Sequence, residues 1–231
     1  MSGVYEHIRF QRESPVTDKR PTPPFFTKRP ESTTEHARGL KKSLQENLVD
    51  MRGAVPGYDD RLLVRLSVQK GTDPNLFEKV PGIETVSQED DAVVLLFVSE
   101  KALADFEGRL SSMIKGDKIT NEQVLFAISA LGGWTREDRL GPALRHEGLP
   151  TKDSFMLDVE LWPLEKRNER TAMLAAFDEW LSRSGIERSD RAQGQSIIIY
   201  RVRVSRASAE LLLQHRDVRR VDLPPRYGLE R

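Results

Sequence analysis

The sequence predicts an α+β protein in which two tandem βαββαβ units follow an extended arm and a single helix. Two observations support this prediction. The order of strand-like and helix-like patterns in residues 58–131 recurs in residues 153–231, and a connector rich in glycine and proline, residues 132–152, separates them. A unit of this order folds as an antiparallel sheet with its helices packed on one face. We therefore expect two ferredoxin-like units in series.

Composition limits the classes of function. The 231 residues carry 36 Lys and Arg against 36 Asp and Glu, so the formal net charge is zero and favours neither nucleic acid nor an anionic membrane as partner. The absence of cysteine excludes disulfides, thiol nucleophiles and thiolate metal ligands. No signal-peptide pattern follows Met1, and no apolar run approaches the ~20 residues of a membrane helix, so we expect a cytoplasmic protein.

Residues 1–31 form the predicted arm, which is rich in proline. Five prolines disfavour helix there, and six Lys and Arg residues accompany them, so the segment is expected to be extended. The adjacent pair Phe25 and Phe26 is the exception in this polar stretch. It either belongs to a partner-docking arm that inserts into another protein or packs on the chain's own domain, and the sequence leaves both open.

Residues 32–57 are expected to form one helix and a connector. Ser32 or Thr33 supplies the N-cap, and Leu40, Leu44 and Leu48 recur at helical spacing. A single apolar stripe means a single buried face. We expect this helix to pack on the unit that follows it.

The first unit, residues 58–131, is predicted from apolar alternation and turn residues. Its expected elements are a strand at 62–68, a helical turn at 73–77, strands at 83–87 and 92–98, a helix capped by Ser99, and a fourth strand at 124–128. The connector that follows is expected to be irregular from Gly132 and Gly133 onward, with Trp134 fastening it to a core.

The second unit, residues 153–231, repeats this order. Its expected elements are a strand at 155–161, a helix that ends at Gly185, a weak strand from Ile186, a β-branched strand at 196–204, a helix capped by Ser205, and a strand at 218–223. In the β-branched strand, Tyr200 and Val202 are predicted to point toward the core.

A motif covers the end of the second unit. Residues 204–228, VSRASAELLLQHRDVRRVDLPPRYG, place a helix, Asp217-Val218, two arginines and Val221 ahead of an extended tail. This segment resembles the inhibitor-type propeptide of subtilisin-like serine proteases. The whole chain is similar to the N-terminal, propeptide-like regions of bacterial subtilisin-like proteases that are encoded beside an AAA-type ATPase in plasmid-exclusion and anti-phage operons. That wider resemblance is carried by YEHIRF at 5–10, the segment at 86–110, GGWTREDR at 132–139, LDVELWPL at 157–164 and the segment at 200–230.

The resemblance implies a non-catalytic region that acts as folding chaperone, inhibitor and partner-docking module for a subtilisin-like peptidase domain, in cis or in trans. The sheet face opposite the helices would dock on the peptidase, as an apolar patch with a basic rim, and the tail would enter the substrate groove. The residues implied for the face are Ile197, Ile199, Arg201 and Arg203. Those implied for the tail are Leu223, Pro224, Pro225, Arg226, Tyr227, Gly228 and Leu229. A solvated face and a plain interdomain linker are the alternatives.

Catalytic and cofactor-binding patterns are lacking in the sequence. We find no serine-protease triad context, no phosphate-binding glycine loop and no histidine pair at metal-ligand spacing, so we expect no cofactor and no metal. His215 is expected at the exposed, polar end of a helix, and Glu89, Asp90 and Asp91 are expected in a hairpin turn. By the resemblance, the parent protein would be a serine endopeptidase whose catalytic domain follows this chain.

Two other functions compete with this interpretation. The first is a stand-alone interaction adaptor for an AAA-type ATPase, with the arm and the first unit as its docking surface. The second is binding of single-stranded RNA, because RNA-recognition modules share the βαββαβ order but need exposed aromatic residues on their central strands. The strands offer Phe97 and Tyr200, and Tyr200 is predicted to point inward, so nucleic acid is disfavoured as a partner.

Overall fold

The computed structural model of the chain describes residues 27–49, 55, 57–59, 61–89, 92–97, 99–164, 166–194 and 197–225. These residues form a mixed α+β structure with two antiparallel four-stranded sheets, which confirms the predicted α+β class. None of the described helices is long and apolar enough to cross a bilayer. Phe25 and Phe26 of the predicted arm, and Arg226, Tyr227, Gly228 and Leu229 of the predicted tail, lie outside the described residues.

Helix α1, Thr33–Glu46, packs on the first sheet's long helix α2, Glu100–Lys115. The Ser32 side chain caps α1 by accepting a hydrogen bond from the backbone N–H of Glu35 at 3.2 Å, as the capping pattern predicts. Its apolar stripe, which includes Leu40 and Leu44, is buried against the first unit. This confirms the prediction that the helix packs on the unit that follows.

The first sheet consists of β1, Leu62–Val68, β2, Ile83–Glu89, β3, Ala92–Phe97, and β4, Ile128–Gly133, in the order β2-β3-β1-β4. All of its neighbouring strands are antiparallel. Between β1 and β2 the chain makes a 3₁₀ helix, Pro74–Lys79, whose first turn is capped by Asp73. This confirms the helical turn that the sequence predicts at residues 73–77.

The fourth strand lies later than the sequence predicts. Residues 124–128 were expected as a strand, but Glu122–Ala127 forms a short helix, α3, and β4 begins at Ile128. The side chains of 124–127 are all buried. A continuous apolar run of this length fits a buried helix as well as a buried strand, so the pattern alone does not distinguish them. Gly132 and Gly133, expected to open the irregular connector, pair with Arg65 and Val64 as the end of β4.

The second sheet repeats the strand order of the first. It contains β5, Phe155–Leu161, β6, Glu187–Gln193, β7, Ile198–Val204, and β8, Val218–Asp222, in the order β6-β7-β5-β8. Helix α5, Arg167–Arg183, joins β5 to β6, and helix α6, Arg206–Leu212, joins β7 to β8. Both helices bury their apolar side chains in the core on one face of this sheet.

The connector between the units is attached to the second unit. It contains a short helix, α4, Pro142–Glu147, and Leu140 forms a parallel bridge with Val221 along β8. Trp134 is buried, its indole N–H donates to the carbonyl of Arg219 at 2.9 Å, and its ring meets Trp162 edge to face. The prediction that Trp134 fastens the connector to a core is confirmed.

The first sheet uses both of its faces. In β1, Leu62, Val64 and Leu66 are buried in the first unit's own core, whereas Leu63 lies on the opposite face, inside the core cluster of the second unit. On that same face, Arg65 forms an ion pair of 2.7 Å with Asp138 of the connector. The face of the first sheet that points away from its helices is therefore packed on the second unit.

Candidate protein-docking site

Strand β7 presents the residues that the sequence analysis assigned to a docking face. Ile198, Tyr200, Val202 and Val204 are buried in the core, as predicted for Tyr200 and Val202, so the alternate residues Ile199, Arg201 and Arg203 point to the other side of the sheet. Ile197 precedes the strand, and 46% of its surface is exposed. We call this side, away from α5 and α6, the open face.

The charges of the open face are paired with one another. Arg201 binds Asp158 of β5 through two hydrogen bonds of 2.8 and 2.9 Å, and Arg203 lies 3.5 Å from Glu187 of β6. Glu160, of which 6% is exposed, accepts hydrogen bonds from two arginines of β8 at 3.0 and 2.7 Å. The basic rim expected from the sequence is therefore part of a network in which carboxylates offset the arginines.

A groove of about 560 Å³ runs along the open face at its β8 edge. Ile199 and the carboxylates of β5 form its sheet side, and Pro142 and Ala143 of α4 form a wall. The beginning of the predicted tail, Leu223, Pro224 and Pro225, lines the same groove. Leu223 also packs on the core of the second unit, so the described part of the tail starts from a fixed point.

Asp222, the last residue of β8, holds that starting point in place. Its carboxylate accepts hydrogen bonds from the backbone N–H groups of Leu144 at 3.0 Å, Ala143 at 3.4 Å and Leu223 at 2.9 Å. A Cβ atom added to Gly141 would overlap this carboxylate. Asp222 thus caps α4 from a distant part of the chain, which sequence reasoning missed, because only the Gly-Pro start of α4 is visible locally.

His215 lies in the core and not on the surface where the sequence analysis expected it. It was expected on the surface but is only 2% exposed, and its ring meets Phe177 and Trp180 with centroids 5.1 and 4.4 Å away. Its Nδ1 accepts the backbone N–H of Asp217 at 3.2 Å. Burial lowers the pKa of His215 to about 3, helped by the charges of Arg139 and Arg216. The ring is therefore neutral at neutral pH and serves packing.

Two residues with ionisable side chains, Arg139 and Asp217, are buried near His215. Arg139, 4% exposed, donates to the carbonyl oxygens of Val218, Trp134 and Thr135, and burial lowers its pKa to about 10. Asp217, 8% exposed, accepts a hydrogen bond from the backbone N–H of Tyr58 at 2.8 Å. Burial raises the pKa of Asp217 to about 6. These groups hold backbone segments together, and no alternation in the sequence marks them as buried.

Two of the described histidines, His36 and His215, are engaged in contacts within the protein. The Nε2 of His36 is hydrogen-bonded to the carbonyl of Leu125 at 3.0 Å, and the ring of His215 packs against Phe177 and Trp180 in the core. Over the described ranges there is no group of three or more histidine, aspartate or glutamate residues that could hold a metal ion. Of the acidic run expected in a hairpin turn, Glu89 ends β2, whereas Asp90 and Asp91 lie outside the described residues.

Two family models match the chain in succession. Residues 34–135 match the Y4kK N-terminal domain, and residues 138–223 match the Y4kK central domain. The two matches meet inside the predicted connector. The chain is also similar to a Sinorhizobium fredii (strain NBRC 101917 / NGR234) protein described as uncharacterized protein y4kK, with 28% identity over 159 residues. That alignment covers 64% of this chain and 51% of the relative, so the chain spans about half the relative's length. No solved structure matches.

Proposed function

We propose that this chain is the non-catalytic N-terminal region of a subtilisin-like serine protease and that its second unit docks on the peptidase domain as folding chaperone and inhibitor. The observation that carries the proposal is the shared groove: the open face of the second sheet and the start of the tail line one surface. A domain that presents a sheet face and an extended arm side by side can hold a partner at two places.

The contrast between the two sheets supports this proposal. The corresponding face of the first sheet is covered, because Leu63 packs into the second unit and Arg65 binds Asp138. On the open face of the second sheet, α4 and the start of the tail flank the β8 edge, and Ile197 and Ile199 are left partly exposed. We infer that a following domain covers the open face of the second sheet in the same way that the second unit covers the corresponding face of the first sheet.

The paired charges of the open face indicate what kind of contact the partner makes. Asp158 and Glu160 already neutralise their arginine neighbours, so a partner does not need to supply acidic groups. The apolar part of this surface includes the two isoleucines, Leu223 and the prolines of the tail. Docking is therefore expected to be mainly apolar and to change little with ionic strength.

We also propose that both units are ferredoxin-like. In each unit the second and third strands are neighbours in the sheet, and the first strand lies between the third and the fourth. The helical connections follow the first and the third strands. This arrangement agrees with the βαββαβ reading of the sequence. It is the fold that the resemblance to inhibitor-type propeptides implies for the second unit.

The described part of the tail suits the inhibitory role. Pro224 and Pro225 stiffen the chain where it leaves the core at Leu223, which lowers the entropy cost of ordering an extended segment in a groove. They also lack N–H donors, so the segment pairs less well than a substrate would.

The matched central-domain model, by its name, supports the presence of a further domain in the parent protein.

The experiment mixes this chain with the peptidase domain that the proposal places after it and measures binding and the rate of peptide hydrolysis. We expect inhibition by the wild-type chain and at least tenfold weaker inhibition by the variant I197D/I199D. Val49→Asp is the matched control, because Val49 is 79% exposed and follows α1 in the chain, outside the second unit. Failure of the wild-type chain to bind, or equal inhibition by both variants, would defeat the proposal.

A second candidate is the adaptor for an AAA-type ATPase, with the arm and the first unit as docking surface. It is favoured by the attachment of residues 27–31 to the first unit through Gln69, which places the end of the arm on that unit. Pull-down of the ATPase by chains with and without residues 1–31 separates the two candidates. If the ATPase binds only when residues 1–31 are present, the adaptor function is supported. If it binds equally well without them, the arm is not part of the interface.

A further inference from the structure

Gln69 holds a piece of backbone that precedes α1. Its side-chain oxygen accepts the backbone N–H of Lys28 at 3.0 Å, and its side-chain nitrogen donates to the carbonyl of the same residue at 3.1 Å. The second N–H of the amide goes to the carbonyl of Phe126 at 2.8 Å. The carboxamide therefore pairs with Lys28 as the backbone of a neighbouring β-strand would. We call residues 27–31 the strap.

Gln69 is itself held rigidly. Its backbone N–H donates to the carbonyl of Ala127 at 2.9 Å, and its own carbonyl accepts two hydrogen bonds from Thr72, at 3.0 Å from the backbone N–H and 2.6 Å from the hydroxyl. The side chain is thus positioned before the strap binds, so little entropy is lost when its hydrogen bonds form. A preorganised amide that bonds both the N–H and the carbonyl of one residue recognises backbone, not side chain.

The surface beside the strap has room for more than the strap. A groove of about 340 Å³ lies between residues 28–31 and the end of α3, with Phe126 and Ile128 at its base and Ser129 at its rim. Arg29 covers one side, with its guanidinium 5.7 Å from the centre of the Phe126 ring. Six polar or charged residues, among them His36 and Gln69, line the groove together with Pro30, Phe126 and Ile128, so it offers hydrogen-bonding groups beside a small apolar base.

We propose that the Gln69 amide, at the side of this groove, is a site on the first unit that binds extended peptide backbone, and that the chain's own strap is its resident occupant. The strap is exchangeable, because among the described residues it is attached through the Gln69 amide and the contact of Arg29 with the Phe126 ring, and its lysine and arginine are exposed. Release of the strap would free the segment that precedes α1. This site does not depend on a peptidase, so it stands or falls separately from the proposed function.

Amide hydrogen exchange in the full-length chain tests how the strap is recognised. We expect exchange of the Lys28 N–H to be at least about tenfold faster in Gln69→Ala, because two hydrogen bonds to the strap are lost. Lys28→Ala should leave the protection of residue 28 unchanged, because its backbone is what is bound. Gln45→Ala is the matched control, since Gln45 bonds Glu107 on the helices of the same unit. Unchanged exchange in Gln69→Ala, or equal loss in Lys28→Ala, would overturn the proposal.

Competition tests whether the site accepts a peptide in trans. A synthetic peptide with the sequence of residues 24–33 is added at millimolar concentration, since a tethered segment has an effective concentration of about that order. We expect it to accelerate exchange of the Lys28 N–H in the wild-type chain and to have no effect on Gln69→Ala. Protection that persists at saturating peptide would show that the strap is a permanent part of the unit and would refute the exchangeable site.

Discussion

The carboxylate of Asp217 accepts the backbone N–H of Tyr58 at 2.8 Å, and a Cβ atom on the neighbouring Gly57 would overlap that carboxylate. The segment that leads into the first sheet is thereby fixed to the loop between α6 and β8 of the second unit. Val55 extends the attachment, with backbone hydrogen bonds to Gln214 at 3.2 Å and to Arg216 at 3.0 Å. The two units are consequently joined by close backbone contact as well as by side chains.

Gly57→Ala should destabilise the chain by ~1–3 kcal/mol, because the new methyl group has no room beside Asp217. The atoms in its way all belong to that one side chain, so the same substitution should cost much less in Asp217→Ala. Urea unfolding of the two single variants and the double variant measures this coupling. Gly39→Ala is the control: Gly39 lies in α1 with open space around it, and alanine there should stabilise by ~1 kcal/mol. Additive effects would refute the predicted overlap.

Asp217 should make the chain less stable as the pH rises from 4 to 6. Burial raises its pKa from 3.8 to about 6, so the folded chain holds this proton more tightly than the unfolded chain does. The contribution is fully present below the unfolded pKa and is lost as the pH rises through about 6, with a size of ~3 kcal/mol at most. Asp217→Asn should remove this slope, which chemical denaturation at a series of pH values would detect. The same slope in both proteins would contradict the assignment.

His215 should act in the opposite direction. Its folded pKa, about 3, lies below the ordinary value of 6.5, so its contribution is present above pH 6.5 and is lost as the pH falls toward 3. His215→Asn keeps an acceptor for the N–H of Asp217 but does not titrate. It should flatten the acid side of the stability profile, although it costs stability at pH 7 through lost contacts with Phe177 and Trp180. An unchanged loss of stability on acidification would show that another group is responsible.

Leu63→Ala should weaken the second unit although the residue lies in the first sheet. Leu63 is 5% exposed and belongs to the core cluster of the second unit, so its truncation should cost ~2–3 kcal/mol there. All three tryptophans, Trp134, Trp162 and Trp180, lie beyond the first sheet, so tryptophan fluorescence reports the second unit and its connector. Leu62→Ala, which faces the first core, is the control and should change the fluorescence midpoint less. Equal shifts would refute the assignment of Leu63.

Much of the architecture could be predicted because it depends on local patterns. Period-two alternation located β1, β5 and β7 and the inward direction of Tyr200, and serine caps located the starts of α1, α2 and α6. The prediction failed at residues 124–128, where a buried apolar run does not distinguish helix from strand. The two proposed binding surfaces were predicted unevenly: the residues of the open face were identified, but the strap site at Gln69 was not.

The chain's own sequence determined the α+β class, the order of the elements along the chain and which residues of β7 face away from the core, since each depends on neighbours along the chain. Only the tertiary structure decided that Asp217 is buried against Tyr58, that Asp222 caps α4, that Arg201 is neutralised by Asp158 and that Gln69 holds the strap. Each of these contacts joins residues at least 41 positions apart. Their partners, burial and charge state are set by the packing of distant segments, which periodicity and capping patterns do not encode.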